Sequence, residues 1–517
     1  HDFNDFEVGK RHNIKPINIF TPDAKIDISE IENPNDFIRS LAGKDRFEAR
    51  ELMVDKLRET GHLVKSEPCL HNVPHAERGG AVLEPRLTSQ WYCDVKKLAE
   101  IAVEKARTSE LKFIPDLWKN TWYSWLENVQ PWCISRQLWW GHRIPAYYDE
   151  KGNLAYVGTT PPEGLVRDDD VLDTWFSSGL WPMATLGWPD VYAKDFRAYY
   201  PNSVIITGFD IIFFWVARMV MFGLYFTDKL PFDKVVLHGL VTDEKGLKMS
   251  KTKGNVIDPI TIIDQYGIDA VRFAVCAAAN QNRTNPFGHQ NVEASHKFIT
   301  KLMNAAEFWI RNGISAAPRF RPEDSTPLAD WVLNRMNAAI ANADRAMEDY
   351  RYDEYANNIY HFVWDDFCSS FIELAKREMT PATIAAAEVA MKGILRMLQP
   401  VVPFITAELW ARMGFGDAVK FMREKFAEPV KLKCSPEEIE TWWQTKQADK
   451  LALEDEAKNK AELTQVKGRI VSLERQLADT VFTSRAKSEI VAERRASLKS
   501  AYARRDVLEK LLKRSAD

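Results

Sequence analysis

The pattern of apolar and polar positions in the middle of the chain predicts an α/β region. Val204–Thr207 predicts a short buried strand, Gly208 ends that strand, and the apolar run from Asp210 onward predicts a buried helix. The same pattern predicts a strand over Lys234–Leu240 and a helix over Asp269–Ala278. A strand, a glycine turn and a helix in this order are typical of a parallel α/β sheet.

The apolar run over residues 204–226 is also long enough to span a membrane. However, Asp210 and Arg218 lie inside it, and charged side chains are costly in the centre of a bilayer. We therefore favour a buried helix of a sheet protein and expect no membrane partner.

The pattern of apolar and polar positions divides the remainder of the chain into several segments. Residues 1–90 alternate short apolar runs with turns, which predicts a mixed α/β or β-rich segment, and residues 91–145 have a helical pattern with a Trp-rich end. Amphipathic repeats over 327–415 predict an α-helical bundle. Residues 416–460 are polar and charged and carry no clear structural signal.

The last part of the chain has a coiled-coil seam. It consists of Leu463, Val466, Ile470, Leu473, Leu477 and Val481, and it resumes at Val491, Leu498, Leu508 and Leu512. The break near Thr480–Lys487 predicts an antiparallel hairpin. Residues 461–517 carry 13 Lys and Arg against 8 Asp and Glu, a local charge of +5. This surface is either an ordinary solvated face or a basic arm for a nucleic-acid backbone.

Composition narrows the protein class. A chain of 517 residues predicts two to four domains, and its net charge of −4 does not by itself indicate a nucleic-acid partner. None of the six cysteines forms a C-x-x-C pair, so neither a zinc ribbon nor a disulfide framework is indicated. We expect a reduced, cytoplasmic setting. The chain begins at His1 without a signal-peptide pattern, and we expect it to be a piece of a longer protein.

One polar stretch suggests chemistry. GLKMSKTKGN, from Gly246 to Asn255, combines three lysines, two hydroxyl side chains and two glycines. It follows a predicted strand and precedes a predicted helix. A flexible cationic loop of this kind suits phosphate groups, although a solvated surface loop has the same composition. The stretch alone leaves both interpretations open.

Longer motifs agree with the first interpretation. KMSKT resembles the KMSKS signature of class I aminoacyl-tRNA synthetases. The stretches PWCISRQLWWGHRIPAYY, DVLDTWFSSGLWPMATLGWP, ITGFDIIFFWVARMVMFG, LHGLVTDEKGLKMSKTKGNVIDP and YGIDAVRF resemble the valyl-tRNA synthetase family, in the family's order. The resemblance covers most of the chain.

The resemblance implies an ATP site. Lys248 and Lys251 would stabilise the charge that develops on the leaving pyrophosphate when the valine carboxylate attacks ATP. The ATP-binding set would be Gly208, Asp210, His238, Gly239, Lys248, Met249, Ser250 and Lys251. ATP with Mg²⁺, valine and tRNA(Val) would be the substrates and partners. Without the resemblance, Asp210 would be a buried acid that caps a helix, and His238 a structural residue.

The resemblance also implies two sites for amino-acid selection. Trp175, Ile211 and Trp215 would line a small dry valine pocket, Ile211 and Trp215 lying four residues apart on one helix. Simple core packing is the alternative. Asp2 and Asp5 would belong to the editing site that hydrolyses threonyl-tRNA. Such editing is needed because an apolar pocket rejects threonine poorly, a limit for which the valyl enzyme is the standard example.

Three features depart from the family. The sequence has no H-x-G-H motif for the ATP phosphates, so we expect this chain by itself to be inactive. Residues 416–460 are shorter and less patterned than the family suggests. HNVPHAERGG, residues 71–80, lacks a cysteine set, so we predict no zinc.

These observations predict five segments and an α/β plus all-α fold. The segments are the end of the editing domain (1–90), the second half of a Rossmann-like catalytic domain (91–290), a linker and helical anticodon-binding domain (291–415), a connector (416–460) and an antiparallel coiled-coil arm (461–517). We expect a monomer. A non-catalytic paralogue that only binds tRNA is the alternative, and an isoleucine or leucine synthetase is a further one.

Overall fold

A computed structural model of the chain describes residues 3–70, 72–76, 79–249, 254–281 and 283–514. Its helices α1 to α21 are, in order, Phe3–Arg11, Asp36–Leu41, Arg46–Glu59, Lys96–Arg107, Lys119–Leu126, Thr174–Ser178, Trp181–Ala184, Lys194–Tyr199, Ala217–Thr227, Pro259–Tyr266, Ile268–Ala278, His289–Arg311, Pro327–Glu348, Tyr352–His361, Ile372–Ala375, Pro381–Leu398, Pro403–Arg412, Ala418–Phe421, Pro436–Ala478, Thr480–Arg485 and Ser488–Arg514.

Strands β1 to β12 are Tyr92–Cys93, Lys112–Ile114, Trp132–Cys133, Ser135–Arg136, Ala146–Tyr148, Leu154–Val157, Val166–Arg167, Val171–Leu172, Ile205–Gly208, Lys234–His238, Leu240–Thr242 and Thr284–Pro286. Two segments form π-helical turns, Ile212–Val216 and Phe362–Phe371. The predicted mixture of an α/β region and a largely helical region is confirmed.

The chain forms two compact units. The first comprises residues 1–97 and 129–178, and the second comprises residues 98–128 and 179–517. The first unit contains the antiparallel strands β1 with β3, β4 with β8, and β5 with β6 and β7. For residues 1–90 we predicted a mixed α/β or β-rich segment, and the described residues there form α1 to α3 and isolated bridges. The β-rich alternative was wrong, because Asn35 and Asp45 cap the helices α2 and α3 by accepting hydrogen bonds from the backbone N–H groups of Ile38 and Phe47.

The second unit contains a three-stranded parallel sheet in the order β2, β10, β9. The predicted strand at 204–207 is present but shifted to Ile205–Gly208. The predicted strand Lys234–Leu240 is divided at Gly239, and its second part, β11, pairs with β12 instead. Between residues 91 and 145 the helical prediction holds for α4 and α5, whereas the Trp-rich end forms short strands.

The helical part of the second unit has a continuous apolar core. Trp309 is fully buried and stacks on Phe371, with ring centroids 5.5 Å apart. Tyr355 is also buried, and its hydroxyl donates to the Met397 carbonyl oxygen at 2.5 Å. Such tightly packed aromatic side chains bury large apolar areas, so this core accounts for much of the stability of the bundle.

A long helix begins inside residues 416–460, where the sequence pattern carries no clear signal. α19 starts at Pro436, and Ser435 and Glu438 form a reciprocal capping box there. The ring of Trp443 stacks on Trp331 of α13 at 4.2 Å, which fixes the base of α19 on the bundle. The Ser-Pro-x-Glu sequence was therefore a helix start that we overlooked.

α19 and α21 pack side by side in opposite directions. Arg504 forms two hydrogen bonds with Glu462, at 2.7 and 2.9 Å, and Lys467 lies 2.7 Å from Glu509. Leu473 and Leu508 are buried. Val481, which we assigned to the seam, is 57% exposed because Asp479 ends α19 and caps the short helix α20.

The cysteines differ in burial, which predicts different reaction rates for their thiol groups. Burial raises the pKa of Cys276 to about 11 and that of Cys368 to about 12, whereas Cys69 is exposed. Because the thiolate is the reactive form, we expect Cys276 and Cys368 to react at least ~100-fold more slowly than Cys69 with a disulfide reagent at pH 8. Peptide mapping after timed labelling measures this. Fast labelling of Cys368 in the folded chain would contradict the burial described here.

Candidate active site

The carboxyl ends of two neighbouring parallel strands bring two predicted site residues together. Gly208 ends β9, His238 ends β10, and the two residues are paired across the ladder. Ligands of open α/β sheets bind outside the carboxyl ends of the strands. The structure therefore places Gly208, His238 and the adjoining Gly239 where a ligand of such a sheet would bind.

Gly208 lies against the Asp210 side chain, and its backbone conformation does not itself require a glycine. Its φ of −67° and ψ of 147° are accessible to any residue. A Cβ at this position would lie 2.6 Å from Oδ1 of Asp210. The glycine thus leaves room for the Asp210 carboxylate beside the strand end.

Asp210 is neither buried nor a helix cap, so the alternative interpretation of this residue was wrong. Its side chain is exposed, and the 3-10 turn Phe209–Ile211 has no side-chain cap hydrogen bond. The carboxylate therefore faces outward at the strand end. Its position leaves the predicted role beside the ligand open.

His238 is exposed and has a defined hydrogen bond. Its Nδ1 lies 3.0 Å from the carbonyl oxygen of Gly239. A carbonyl oxygen can only accept, so this bond requires a proton on Nδ1. In the neutral ring Nε2 is then left as a hydrogen-bond acceptor.

A cavity of about 440 Å³ lies beside these strand ends. His238, Gly239 and Met249 of the predicted set are in its wall. The other wall residues are mostly apolar and include Ile206, Val236, Val241, Ile257, Ile262, Val271, Val275 and Phe287. An apolar cavity with few polar groups suits a flat, weakly polar ring system.

Lys248 follows a tight turn that one carboxylate organises. Oδ1 of Asp243 accepts hydrogen bonds from the backbone N–H of Lys245 at 3.0 Å and of Leu247 at 2.8 Å. Lys248 is exposed and forms a bridge with Thr242, and Met249 is half-buried. Ser250 and Lys251, predicted to bind ATP, lie outside the described residues.

Asn255 joins the two sides of this turn. Its Nδ2 donates to Oδ2 of Asp243 at 2.9 Å and to the Lys248 carbonyl oxygen at 3.3 Å. The hydrogen bond from Asn255, followed by that from the Leu247 N–H, lowers the pKa of Asp243. Neither Asp243 nor Asn255 was predicted, although an aspartate three residues before Gly246 is a recognisable turn signal.

The residues predicted for a valine pocket lie in both units. Ile211 and Trp215 are half-buried in the second unit, where the Trp215 ring lies 6.0 Å from that of Trp181. Trp215 belongs to a π-helical turn, so the α-helical spacing assumed for the pair was wrong. Trp175 belongs to α6 of the first unit, so the pocket stays a prediction.

A buried carboxylate supports the helix that carries Trp175. Asp173 accepts hydrogen bonds from Trp132 Nε1 at 2.9 Å and from the Trp175 backbone N–H at 3.3 Å. Arg136 forms an ion pair with the same carboxylate at 2.9 Å. This arrangement fixes the start of α6.

The predicted editing residues are at the start of the chain. Asp5 is exposed in the first turn of α1, and Asp2 lies outside the described residues. Asp5 belongs to the first unit, as does Trp175. The role of Asp2 and Asp5 therefore remains a prediction.

Two further features bear on the site. Within the described ranges, no group of three or more His, Cys, Asp or Glu side chains is arranged to hold a metal ion. One stretch, Phe209–Thr227, is long and apolar enough to cross a membrane, and half of it is buried in the protein. Such burial is usual for a core helix beside a sheet.

Two protein families match most of the chain. A family described as tRNA synthetases class I (I, L, M and V) matches residues 4–160 and 155–285. A family described as anticodon-binding domain of tRNA ligase matches residues 329–477. The first match includes the strand ends, the cavity wall at β10 and the turn before Lys248.

Individual relatives agree with the family matches. Valine–tRNA ligase of Gluconobacter oxydans (strain 621H) is 47% identical over 439 residues, covering 80% of this chain and 49% of the relative. The valine–tRNA ligase of Granulibacter bethesdensis is 46% identical, covering 83% of this chain and 50% of the relative. The chain thus spans about half the length of the curated relatives it matches.

A solved structure shares the fold. It is methionyl-tRNA synthetase of Mycobacterium tuberculosis bound by methionyl-adenylate, with a TM-score of 0.50 and 17% identity. The similarity covers 64% of each chain. At this identity the comparison supports the fold alone.

Proposed function

Because the chain belongs to the class I tRNA synthetases of the isoleucine, leucine, methionine and valine group, we propose that it is part of a valine–tRNA ligase. The enzyme would activate valine with ATP and transfer it to tRNA(Val), in the cytoplasm and as a monomer. The observation that carries this proposal is the turn that presents Lys248 beside the cavity, in a chain 47% identical to a valine–tRNA ligase.

We propose that the apolar cavity holds the adenine ring of ATP. The wall contains His238, Gly239 and Met249, and its other members are mostly apolar. A ring in this cavity would direct the phosphates toward the strand ends and Lys248. Gly208 leaves room there, and Asp210 lies beside it. Residues 91–290 would then form the second half of a Rossmann-like domain.

We propose that the lysines act on the leaving group. The valine carboxylate attacks the α-phosphorus, the bond to the β-phosphate oxygen breaks, and the electron pair leaves with pyrophosphate. The ammonium groups of Lys248 and Lys251 would stabilise this growing negative charge. Mg²⁺ bound to the ATP phosphates supplies further charge neutralisation. Because Mg²⁺ commonly arrives on phosphates, it needs no dedicated protein cage of the kind absent from the described residues.

Selection and editing follow from the family. We propose that Trp175, Ile211 and Trp215 line the valine pocket, and that Asp2 and Asp5 belong to the editing site for threonyl-tRNA. Their half-buried or exposed positions leave these side chains accessible where the structure describes them. No zinc is part of the proposal.

The hairpin of α19 and α21 would bind tRNA. We propose that it is a coiled-coil arm, because its helices run antiparallel and its second part is basic. Arg495 and Lys499 are exposed and lie one turn apart on α21. Exposed cationic side chains of this kind bind phosphate groups and release counterions.

Replacing both Arg495 and Lys499 by alanine is expected to weaken tRNA binding. If each contacts one phosphate, the slope of log affinity against log salt falls by about 0.7–0.9 per cationic side chain. Filter binding or fluorescence anisotropy at several salt concentrations measures the slope. The control E489Q/E493Q removes acidic groups from the same helix and should not weaken binding. An unchanged slope in R495A/K499A would exclude these two residues from the tRNA surface.

Aminoacylation with several amino acids tests the proposed function. The chain is mixed with a separately expressed N-terminal half of a related valine–tRNA ligase and supplied with tRNA(Val). Valine should be attached in preference to isoleucine, leucine and threonine. Preference for isoleucine or leucine would overturn the assignment, and tRNA binding without charging of any amino acid would favour a non-catalytic paralogue.

A further inference from the structure

We propose that Asp243 and Asn255 are positioning residues for Lys248 in valine activation. This inference rests on the proposed function, because it assigns Lys248 to the leaving pyrophosphate. Neither residue needs to contact a substrate. Both act by fixing the backbone from which the Lys248 side chain extends.

The geometry of the turn supports the role of Asp243. Its backbone and side chain together form five hydrogen bonds to the segment that ends at Lys248 or to Asn255. The backbone N–H donates to the Leu247 carbonyl at 3.0 Å, and its own carbonyl accepts from the Gly246 N–H at 2.9 Å. Its carboxylate accepts from Lys245, Leu247 and Asn255. A carboxylate that accepts several hydrogen bonds holds its donors more firmly than a neutral group.

Asn255 supplies a hydrogen-bond donor, which the Asp243 carboxylate lacks. The Lys248 carbonyl oxygen needs a donor, and a carboxylate has none at neutral pH. The Asn255 amide donates to this carbonyl and to Asp243 at the same time. Asn255 therefore links the carboxylate that shapes the turn to the residue that the turn presents.

Fixing the backbone of Lys248 matters because the Lys248 side chain is exposed. An exposed lysine has many rotamers, and a mobile backbone would add further freedom that must be lost when it reaches a phosphate. The bridge to Thr242 holds Lys248 from the strand side, and Asn255 holds it from the other side. Loss of either support should lower the rate of the chemical step more than the binding of valine.

A matched control lies three residues from Asn255. Asp258 also accepts backbone and side-chain hydrogen bonds, from the Ile260 N–H at 3.0 Å and from the Thr261 hydroxyl at 3.1 Å. These bonds cap α10 and do not involve Lys248. D258N therefore changes the charge and stability of the same region while leaving the proposed support intact.

The test uses the full chain mixed with the N-terminal half of a related enzyme. In valine-dependent ATP–pyrophosphate exchange, N255A is expected to lower kcat by about 10- to 100-fold and to leave the KM for valine within about twofold. D258N should change kcat by less than about twofold, because helix caps act mainly on stability. Amide hydrogen exchange of residues 242–249 should be faster in N255A than in D258N.

The exchanged pair D243N/N255D separates positioning from stability. It places the donor at position 243 and the acceptor at position 255, but the carboxylate that N255D introduces cannot donate to the Lys248 carbonyl. We expect the Tm of D243N/N255D to lie closer to that of the wild type than the Tm of N255A does. The kcat of D243N/N255D should stay low. Recovery of kcat together with Tm would show a structural role only and overturn the proposal.

The remaining outcomes are also decisive. Normal kcat in N255A overturns the proposal if the wild-type mixture is active, whatever the hydrogen exchange shows. A wild-type mixture that is inactive with valine overturns the proposed function, and this inference with it. The wild-type control thus distinguishes the two failures.

Discussion

Replacing Lys248 by alanine is expected to lower valine-dependent ATP–pyrophosphate exchange by about 100- to 1,000-fold, the usual effect of removing one group that stabilises developing negative charge. Lys248 is exposed, and the adjoining Met249 lines the cavity. Its backbone is held by the turn that Asp243 organises. The reduction should appear in kcat, because the charge on pyrophosphate grows only as the bond breaks.

Lys245 provides a control in the same turn. Its side chain is exposed, and its backbone N–H is the group that bonds to Asp243. K245A keeps this bond and removes one positive charge at nearly the same place. We expect at most a severalfold change, since exposed charges at a distance are screened by salt. Equal losses in K245A and K248A would indicate general electrostatic attraction instead of a specific role for Lys248.

The second large effect concerns stability. Asp269→Ala is expected to lower the free energy of unfolding by about 2–3 kcal/mol, the scale for a hydrogen bond to a charged group whose partners become buried and unpaired. Asp269 is buried in α11, and its Oδ2 accepts from the Ile405 backbone N–H at 2.6 Å. Three residues on, Arg272 donates to the carbonyls of Val401 and Pro400 at 2.9 and 3.0 Å.

These bonds join α11 to the turn between α16 and α17. The carboxylate lies at the N-terminus of α17 and the guanidinium at the C-terminal end of α16, where each opposes the partial charge of the helix terminus. The other face of α11 contributes Val271 and Val275 to the cavity wall. D269A should therefore also weaken nucleotide binding.

Chemical denaturation measures this effect, with exposed Asp264 as the control. Burial raises the pKa of Asp269, with partial compensation from the N–H groups of Ile405 and Phe404. The pKa of Asp269 is thus higher in the folded state than in the unfolded state, and the folded state holds the proton more tightly. The contribution of Asp269 to stability therefore falls as the pH rises from its pKa in the unfolded state to its pKa in the folded state. D269N, which keeps a neutral acceptor, should thus be less destabilising than D269A. A loss in D264A equal to that in D269A would contradict the role of this contact.

Periodicity in the sequence predicted the central strands and the helical bundle, but not how the apolar helix after Gly208 starts. A run such as IIFFWVARMVMFG is apolar apart from Arg218, so its pattern carries little information on register. The structure begins it with a 3-10 turn and a π-helical turn before regular α-helix. Tertiary packing decides such local geometry.

In the candidate site, too, the sequence predicted some residues and missed others. The family resemblance indicated Lys248, Gly208 and His238. Asn255 and Asp269 were missed because their partners are distant in sequence: Asn255 bonds to a residue 12 positions away, and Asp269 to one 136 positions away. Sequence periodicity reports which face a residue occupies but not which distant backbone group it meets.

ATP–pyrophosphate exchange with valine tests most directly whether this chain carries half of a valine-activating site. It is measured with the chain alone, with the N-terminal half of a related valine–tRNA ligase alone, and with the two mixed. We predict exchange only in the mixture, stimulated by valine more than by isoleucine or leucine, and lowered about 100- to 1,000-fold by K248A. Exchange that is stimulated better by isoleucine or leucine, or that is unaffected by K248A, would contradict the proposed function.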